Sequence, residues 1–405
     1  DGDTFTVMTW TDDDLKVMDA DWEKANSGKK VTLKNFGVQG GEAADLYDQY
    51  FKGGEDVDLF MVEADWALKY INDDSLTAPL SDVGLTESDF SDAYSYTLDI
   101  GKSSDGVLKG VSWQAAPGGF CYRTDLAEKY LGVKTPEDMQ KKVADWDTFQ
   151  ATAKEVYDAS GDAKTALTTT VGGMWQVFSA NRASAWVEND KLVVDDSCTE
   201  FMNLAKTMWD NGYVTKANQW TDEWWAQGQT DNTMGYFVST WGFGDTILGK
   251  AAGLEGGATW GKWNVCQGPQ EFFWGGTWMC VSKSCDNAED AQSFIKYFTV
   301  DQTAMKSYAL EKPEYVNSKT VMQAIVDEKS NSNANLGGQD QFAVLHKAAQ
   351  NISLEGKITP YDATIKSDFL TAVTEYLTGE TSSVEAALDA FKDKVAEDVP
   401  DITVE

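Results

Sequence analysis

The chain has 405 residues, 42% hydrophobic and 24% charged, which is ordinary for a folded globular protein but longer than one core usually supports, so two domains are expected. Its 33 Lys and Arg stand against 66 Asp and Glu, and the resulting formal charge of −33 repels nucleic acid and anionic lipid headgroups. No stretch approaches the ~18–20 uninterrupted apolar residues of a membrane span, and the opening Asp1-Gly2-Asp3-Thr4-Phe5 has no signal-peptide pattern, as in a chain that starts just after a removed leader.

In chain order, residues 4–10 read as a strand, 14–25 as a helix, 30–36 as a strand, 42–52 as a helix and 57–62 as a buried strand. That βαβαβ rhythm predicts a parallel sheet covered by helices. Residues 77–80 read as an extended turn and 107–113 as a further strand. A second unit begins near Pro117-Gly118-Gly119, with helices over 124–131, 147–160 and 199–211 on 3.6-residue apolar spacing. A strand over 234–240, a strand over 278–282 and a helix over 288–299 follow. The clearest C-terminal helices cover 339–350, 364–378 and 383–396. Pro and Gly form no linker-like cluster, so the units are expected to touch through short crossings.

Five apolar runs, 5–10, 57–66, 111–113, 234–241 and 272–278, end on Trp10, Trp66, Trp113, Trp241 and Trp278, in a chain with 16 tryptophans. In open α/β sheets, ligands sit outside the carboxyl ends of the strands. An indole there offers a flat apolar face with an N–H at its edge, which suits a sugar ring with C–H patches between hydroxyls. The first expectation is a neutral, ring-shaped polar ligand.

The cysteines, Cys121, Cys198, Cys266, Cys280 and Cys285, form no CxxC, and His346 is the only histidine, so zinc is not expected. A short-loop Cys280–Cys285 disulfide and a set of buried thiols both remain open.

The order of segments resembles the bacterial extracellular solute-binding proteins of carbohydrate ABC transporters, family 1, which includes the maltose-binding proteins. Residues 5–22 match as a strand, a polar turn and a helix holding Trp22. Residues 51–59 match with Asp56 where the family has proline. Gly110-Val111-Ser112-Trp113 continues to Cys121-Tyr122-Arg123-Thr124-Asp125-Leu126, with Arg123 where Asn is usual, followed by Gly132, Pro136 and Trp146. Trp274-Gly275-Gly276-Thr277-Trp278 with Ser282-Lys283 resembles the return strand, and Gly379-Glu380 with residues 383–388 resembles the tail. The resemblance implies an α/β two-lobe "Venus flytrap" of mixed sheets and helices. Lobe 1 would comprise residues 1–116 and 276–330, and lobe 2 residues 117–275 and 331–405. The chain would cross near 116–119, 269–276 and 325–335 and close by hinge motion.

On that frame Trp241 stands where an aromatic sugar platform is common, against a packing role at the lobe interface. Asp65 and Trp66 follow the third strand, where Asp65 either accepts bonds from vicinal hydroxyls or caps the next helix. Trp10 with Asp12 and Asp13 lies at the first strand tip. Trp113 and Gln114 precede the first crossing, and Trp274, Gly276 and Trp278 flank another. Trp175 and Trp224 are candidates on the second lobe. Trp22, Trp146, Trp186 and Trp209 are expected in the core. The implied partners are a neutral oligosaccharide and the membrane permease of an ABC importer. The expected form is a monomer without cofactor or metal, lipid-anchored outside the cell or periplasmic. A glycoside hydrolase is the alternative by residue type alone, yet no Gly-x-Ser-x-Gly, phosphate loop or catalytic motif is present. A β-sandwich sugar-binding module contradicts the helix content. An amino-acid or peptide ligand would need Arg123 or Arg182 in the cleft.

Overall fold

The computed structural model describes residues 4–11, 14–38 and 41–405. Its strands are β1 (Phe5–Thr9), β2 (Val31–Asn35), β3 (Leu59–Glu63), β4 (Thr77–Ala78), β5 (Gly110–Ser112), β6 (Gly118–Arg123), β7 (Val187–Glu188), β8 (Lys191–Leu192), β9 (Gly235–Ser239), β10 (Trp263–Cys266) and β11 (Thr277–Ser282). The first sheet runs β2-β1-β3-β11-β4, with β5 also on β11. β1 is parallel to β2 (Phe5↔Val31) and to β3 (Val7↔Leu59), as the βαβαβ reading requires. β11 returns antiparallel to β3, with Thr277 opposite Glu63 and Val281 opposite Leu59. That register sets the carboxyl tip of β3 beside the chain entering β11, and Ala64 N–H donates to the Gly276 carbonyl at 3.2 Å.

The second sheet is β10-β6-β9, antiparallel throughout, and β7-β8 is a separate two-residue ribbon. The apolar run 272–278 is not one strand. Gly275 (φ 69°) and Gly276 (φ 103°) lie in the left-handed region, so pairing starts only at Thr277. Residues 272–274 instead pair with the first crossing: Gly118 N–H donates to Phe272 O at 2.9 Å and Trp274 N–H to Ala116 O at 3.1 Å. At Gly118 a Cβ would stand 2.2 Å from the Phe272 ring, so only glycine lets the two segments approach.

The helices follow apolar periodicity. Helix Ala288–Thr299 buries Ala291, Phe294, Ile295 and Phe298, three and four residues apart, against the first sheet. Helix Asp362–Leu377 likewise turns Ile365, Phe369, Ala372 and Val373 inward, which leaves Lys366 on its flank. Among the described residues no helix is long and apolar enough to cross a membrane.

Two hydrophobic cores result. One gathers side chains from Phe5 to Ala115 and from Trp278 to Ile325; the other gathers those from Phe120 to Trp274 and from Ile365 to Ile402. Helix Gln341–Asn351 straddles both, with Phe342 and Ala349 in the first core and Leu345 in the second. All five cysteines are free thiols, four of them buried and Cys285 half-buried, so the disulfide alternative is not realised.

Candidate ligand site at the lobe crossing

Tryptophans converge on the second-lobe side of the crossing. Trp241 follows β9, and Trp274 lies in the return crossing; their ring centroids are 5.0 Å apart, and Trp241 Nε1 donates to Trp274 O at 2.6 Å. A Cβ on Gly275 would approach Trp241 Nε1 to 3.1 Å, so this glycine admits the ring. Over the pair lies Trp220, from the polar loop preceding the short helix Asp222–Ala226. Trp220 is near-parallel to Trp241 (5.9 Å, 16°) and touches Trp224 (5.3 Å), Trp225 (6.0 Å) and Trp274 (5.9 Å).

Two features separate Trp220 from a packing residue. It is 45% exposed, although four indoles hold it in place. Its backbone sits at φ 66°, where an L side chain is strained by roughly 1–3 kcal/mol. Such strain collects where function fixes a side chain. Trp220 is absent from the sequence-derived candidates because it ends no apolar run. The available signal was a lone indole within the polar Asn218-Gln219-Trp220-Thr221-Asp222.

Across the crossing, the β3 tip presents Glu63 and Asp65. Lys366 reaches from helix Asp362–Leu377 and places Nζ 2.6 Å from Asp65 Oδ2. Asp65 therefore does not cap the next helix, whose N-cap is Trp66 with no side-chain bond. Its backbone N–H donates to Glu63 Oε2 at 2.7 Å. Burial, with the Asp65 charge beside it, pushes the Glu63 carboxyl well above the usual carboxylate range. For Lys366 burial pulls downward, but the facing Asp65 and Glu63 outweigh it and hold the ammonium above its ordinary value. Asp362, one turn before Lys366, is raised to about 6 by burial.

The remaining candidates divide by where their polar atoms go. Trp10 and Trp66 pack edge-to-face at 5.4 Å and are each 6% exposed; Trp66 Nε1 finds no acceptor among the described residues. Asp12 and Asp13 lie outside the described residues. Trp113 and Trp278 are turned into the first core, each 1% exposed, and Trp278 Nε1 is spent on Thr97 O at 2.9 Å. Trp175 is enclosed in the second core by Phe369 (4.8 Å) and Phe201 (5.0 Å). Trp224 is also buried, its Nε1 on Thr169 Oγ1 at 3.1 Å, so it supports Trp220 rather than facing a ligand.

Gln114 is a strut of the hinge. Its Nε2 donates to Glu314 Oε2 and its Oε1 accepts from Thr277 N–H, both at 2.9 Å, which leaves its amide committed inside the protein. Burial and nearby Asp14 raise the Glu314 carboxyl to about 8. Gly276 acts through its backbone carbonyl to Ala64 and through its left-handed φ. Both arginines are likewise engaged. Arg123 forks onto Asp125 at 2.8 and 2.7 Å, and Arg182 lies on the Trp186 ring with Asp195 at 3.5 Å.

An open groove of about 740 Å³ lies elsewhere, on the first-lobe flank beside His346. The ring nitrogens of His346 lie 2.8–2.9 Å from Tyr315, Gln323 and Gln350, and no tryptophan lines the groove. The exposed indole face is at Trp220, away from this groove.

Residues 18–338 match the family described as Bacterial extracellular solute-binding protein. No curated protein matches the sequence. Among solved structures, an extracellular solute-binding protein of family 1 superposes with TM-score 0.84 at 18% identity, covering 97% of this chain and 99% of that one. The ABC-transporter-associated binding protein of B. animalis subsp. lactis Bl-04, solved with beta-1,6-galactobiose, gives 0.75 at 22% identity, covering 98% and 97%. The galacto-N-biose/lacto-N-biose I-binding protein of Bifidobacterium longum, solved with lacto-N-biose, gives 0.76 at 16% identity, covering 99% and 98%.

Proposed function

The chain belongs to the bacterial extracellular solute-binding proteins, and from that premise we propose that it captures a neutral oligosaccharide between its lobes and delivers it, uncleaved, to the permease of an ABC importer. The observation that carries the reading is Trp220, an exposed indole on a strained backbone backed by four others. A ring fixed in this way has already lost its rotamer freedom, so stacking costs little further ordering. Sugar complexes of the similar binding proteins support the ligand class. The internal pairing of Arg123 and Arg182 speaks against a free amino-acid or peptide carboxylate as the recognised group.

The lobes of this reading are residues 1–116 with 276–330, and 117–275 with 331–405, acting as a monomer held outside the cell by a lipid anchor or free in a periplasm. The separate cores support that division, apart from helix Gln341–Asn351, which serves both, and Ile352 and Leu354, which lie in the first core. Calorimetric titration against a panel of neutral oligosaccharides, with chromatography of the recovered sugar, tests the function. Saturable binding of one sugar class recovered intact is expected. Cleavage products would make the protein a glycosidase and overturn the reading.

A further inference from the structure

Among the ion pairs identified between described residues, Lys366–Asp65 alone joins an element of one core to an element of the other. Asp65 sits at the tip of β3, and Lys366 on the flank of a helix anchored in the second core by Ile365 and Phe369. The pair spans 301 residues of sequence, so neither partner is placed by local structure. The lysine side chain is 18% exposed and the aspartate 51%, so the lysine end of the bond is covered and the aspartate end is wet. Glu63 stands on the same tip with its carboxyl held above the usual carboxylate range by burial and the Asp65 charge, so Asp65 carries the charge that meets the ammonium.

We propose that Lys366 and Asp65 form a latch across the lobes that holds the sugar-free protein closed and, retained when sugar is bound, slows its release. They are positioning residues, and Asp65 serves closure instead of forking onto hydroxyls. The inference rests on reading the inter-lobe crevice as the ligand site. A two-state hinge moves only by the difference in free energy between its states, and a bond present in the closed state alone is such a difference. Because the closed state is the one that grips ligand, populating it in advance lowers the apparent Kd by the gain in competent fraction. The partly wet pair is also open to screening, since the Debye length falls from about 10 Å at 0.1 M salt to about 3 Å at 1 M.

Small-angle scattering of the sugar-free protein tests the latch without reference to any ligand. Lys366→Met and Asp65→Asn should each give a larger radius of gyration than wild type, and Lys366→Arg should keep the wild-type value. Added salt should expand the wild type relative to Lys366→Met. With the sugar found by calorimetry, both opening variants should bind about five- to tenfold more weakly, chiefly through faster dissociation. Asp65 is half-exposed, so Asp65→Asn keeps the measurement informative should Lys366→Met fold poorly. Radii equal to wild type in both variants overturn the latch, whatever the sugar result. A wild type that binds no sugar but opens in both variants leaves the latch standing and removes the proposed function.

Discussion

Trp220 lies almost parallel to Trp241, at 5.9 Å and 16°, and of the two it is the ring with the strained backbone that faces solvent. Trp241 gives its N–H to Trp274 O and one face to Trp220. On the proposed function, Trp241 is the backing and Trp220 the surface presented to a ligand.

Replacing Trp220 by glycine separates binding from stability. The substitution removes the ring and suits φ 66°, so the melting temperature should hold or rise while affinity for the sugar falls at least about tenfold. Calorimetry and thermal denaturation of the same sample check both halves. A drop in stability with unchanged affinity would make Trp220 a packing residue.

Trp175→Ala should do the reverse. Removing an indole enclosed by Phe201, Phe369 and Trp186 costs about 3–5 kcal/mol. Urea unfolding should show that loss, and any protein that remains folded should bind with near wild-type affinity.

Gln114→Ala should weaken the hinge. It strands the Thr277 N–H and Glu314 Oε2, each buried, at about 1–3 kcal/mol per unsatisfied group, while Glu314 Oε1 keeps the Tyr315 N–H. Faster amide exchange at Thr277 is the specific signature; unchanged protection there would show that the strut carries no load.

Asp19 gives a pH dependence. On helix Leu15–Ala25, burial and then the Glu23 charge raise its carboxyl from 3.8 to about 7. Between those values the folded state keeps a proton that the unfolded state has released, so this group's contribution to stability falls as pH rises from about 4 to about 7. Asp19→Asn should match wild type near pH 4 and melt higher than wild type at pH 8. Equal melting temperatures at pH 8 would contradict the burial argument.

What the sequence could show depended on range. Helix Ala288–Thr299 is legible because Ala291, Phe294, Ile295 and Phe298 repeat at helical spacing, and the same periodicity then fixes which face is buried. Four of the five tryptophan-ended runs follow a strand to its tip, whereas Trp278 stands at the start of β11, and alternation along a strand does not say whether a ring turns inward. Trp113 and Trp278 turned into the core. Gln114 looked like a free amide at a crossing, and only the fold brings Glu314 and Thr277 to it. Trp220 was hidden by its own loop, and Lys366 by its distance from Asp65; no local pattern pairs residues that far apart. Motif order across the whole chain, by contrast, indicated the two-lobe fold.

The most direct test of the central claim is a crystal structure with the sugar that calorimetry identifies. A pyranose ring stacked on the exposed face of Trp220, with the lobes closed over it, is expected. Sugar seated in the groove beside His346, or bound between the lobes without touching Trp220, would contradict it.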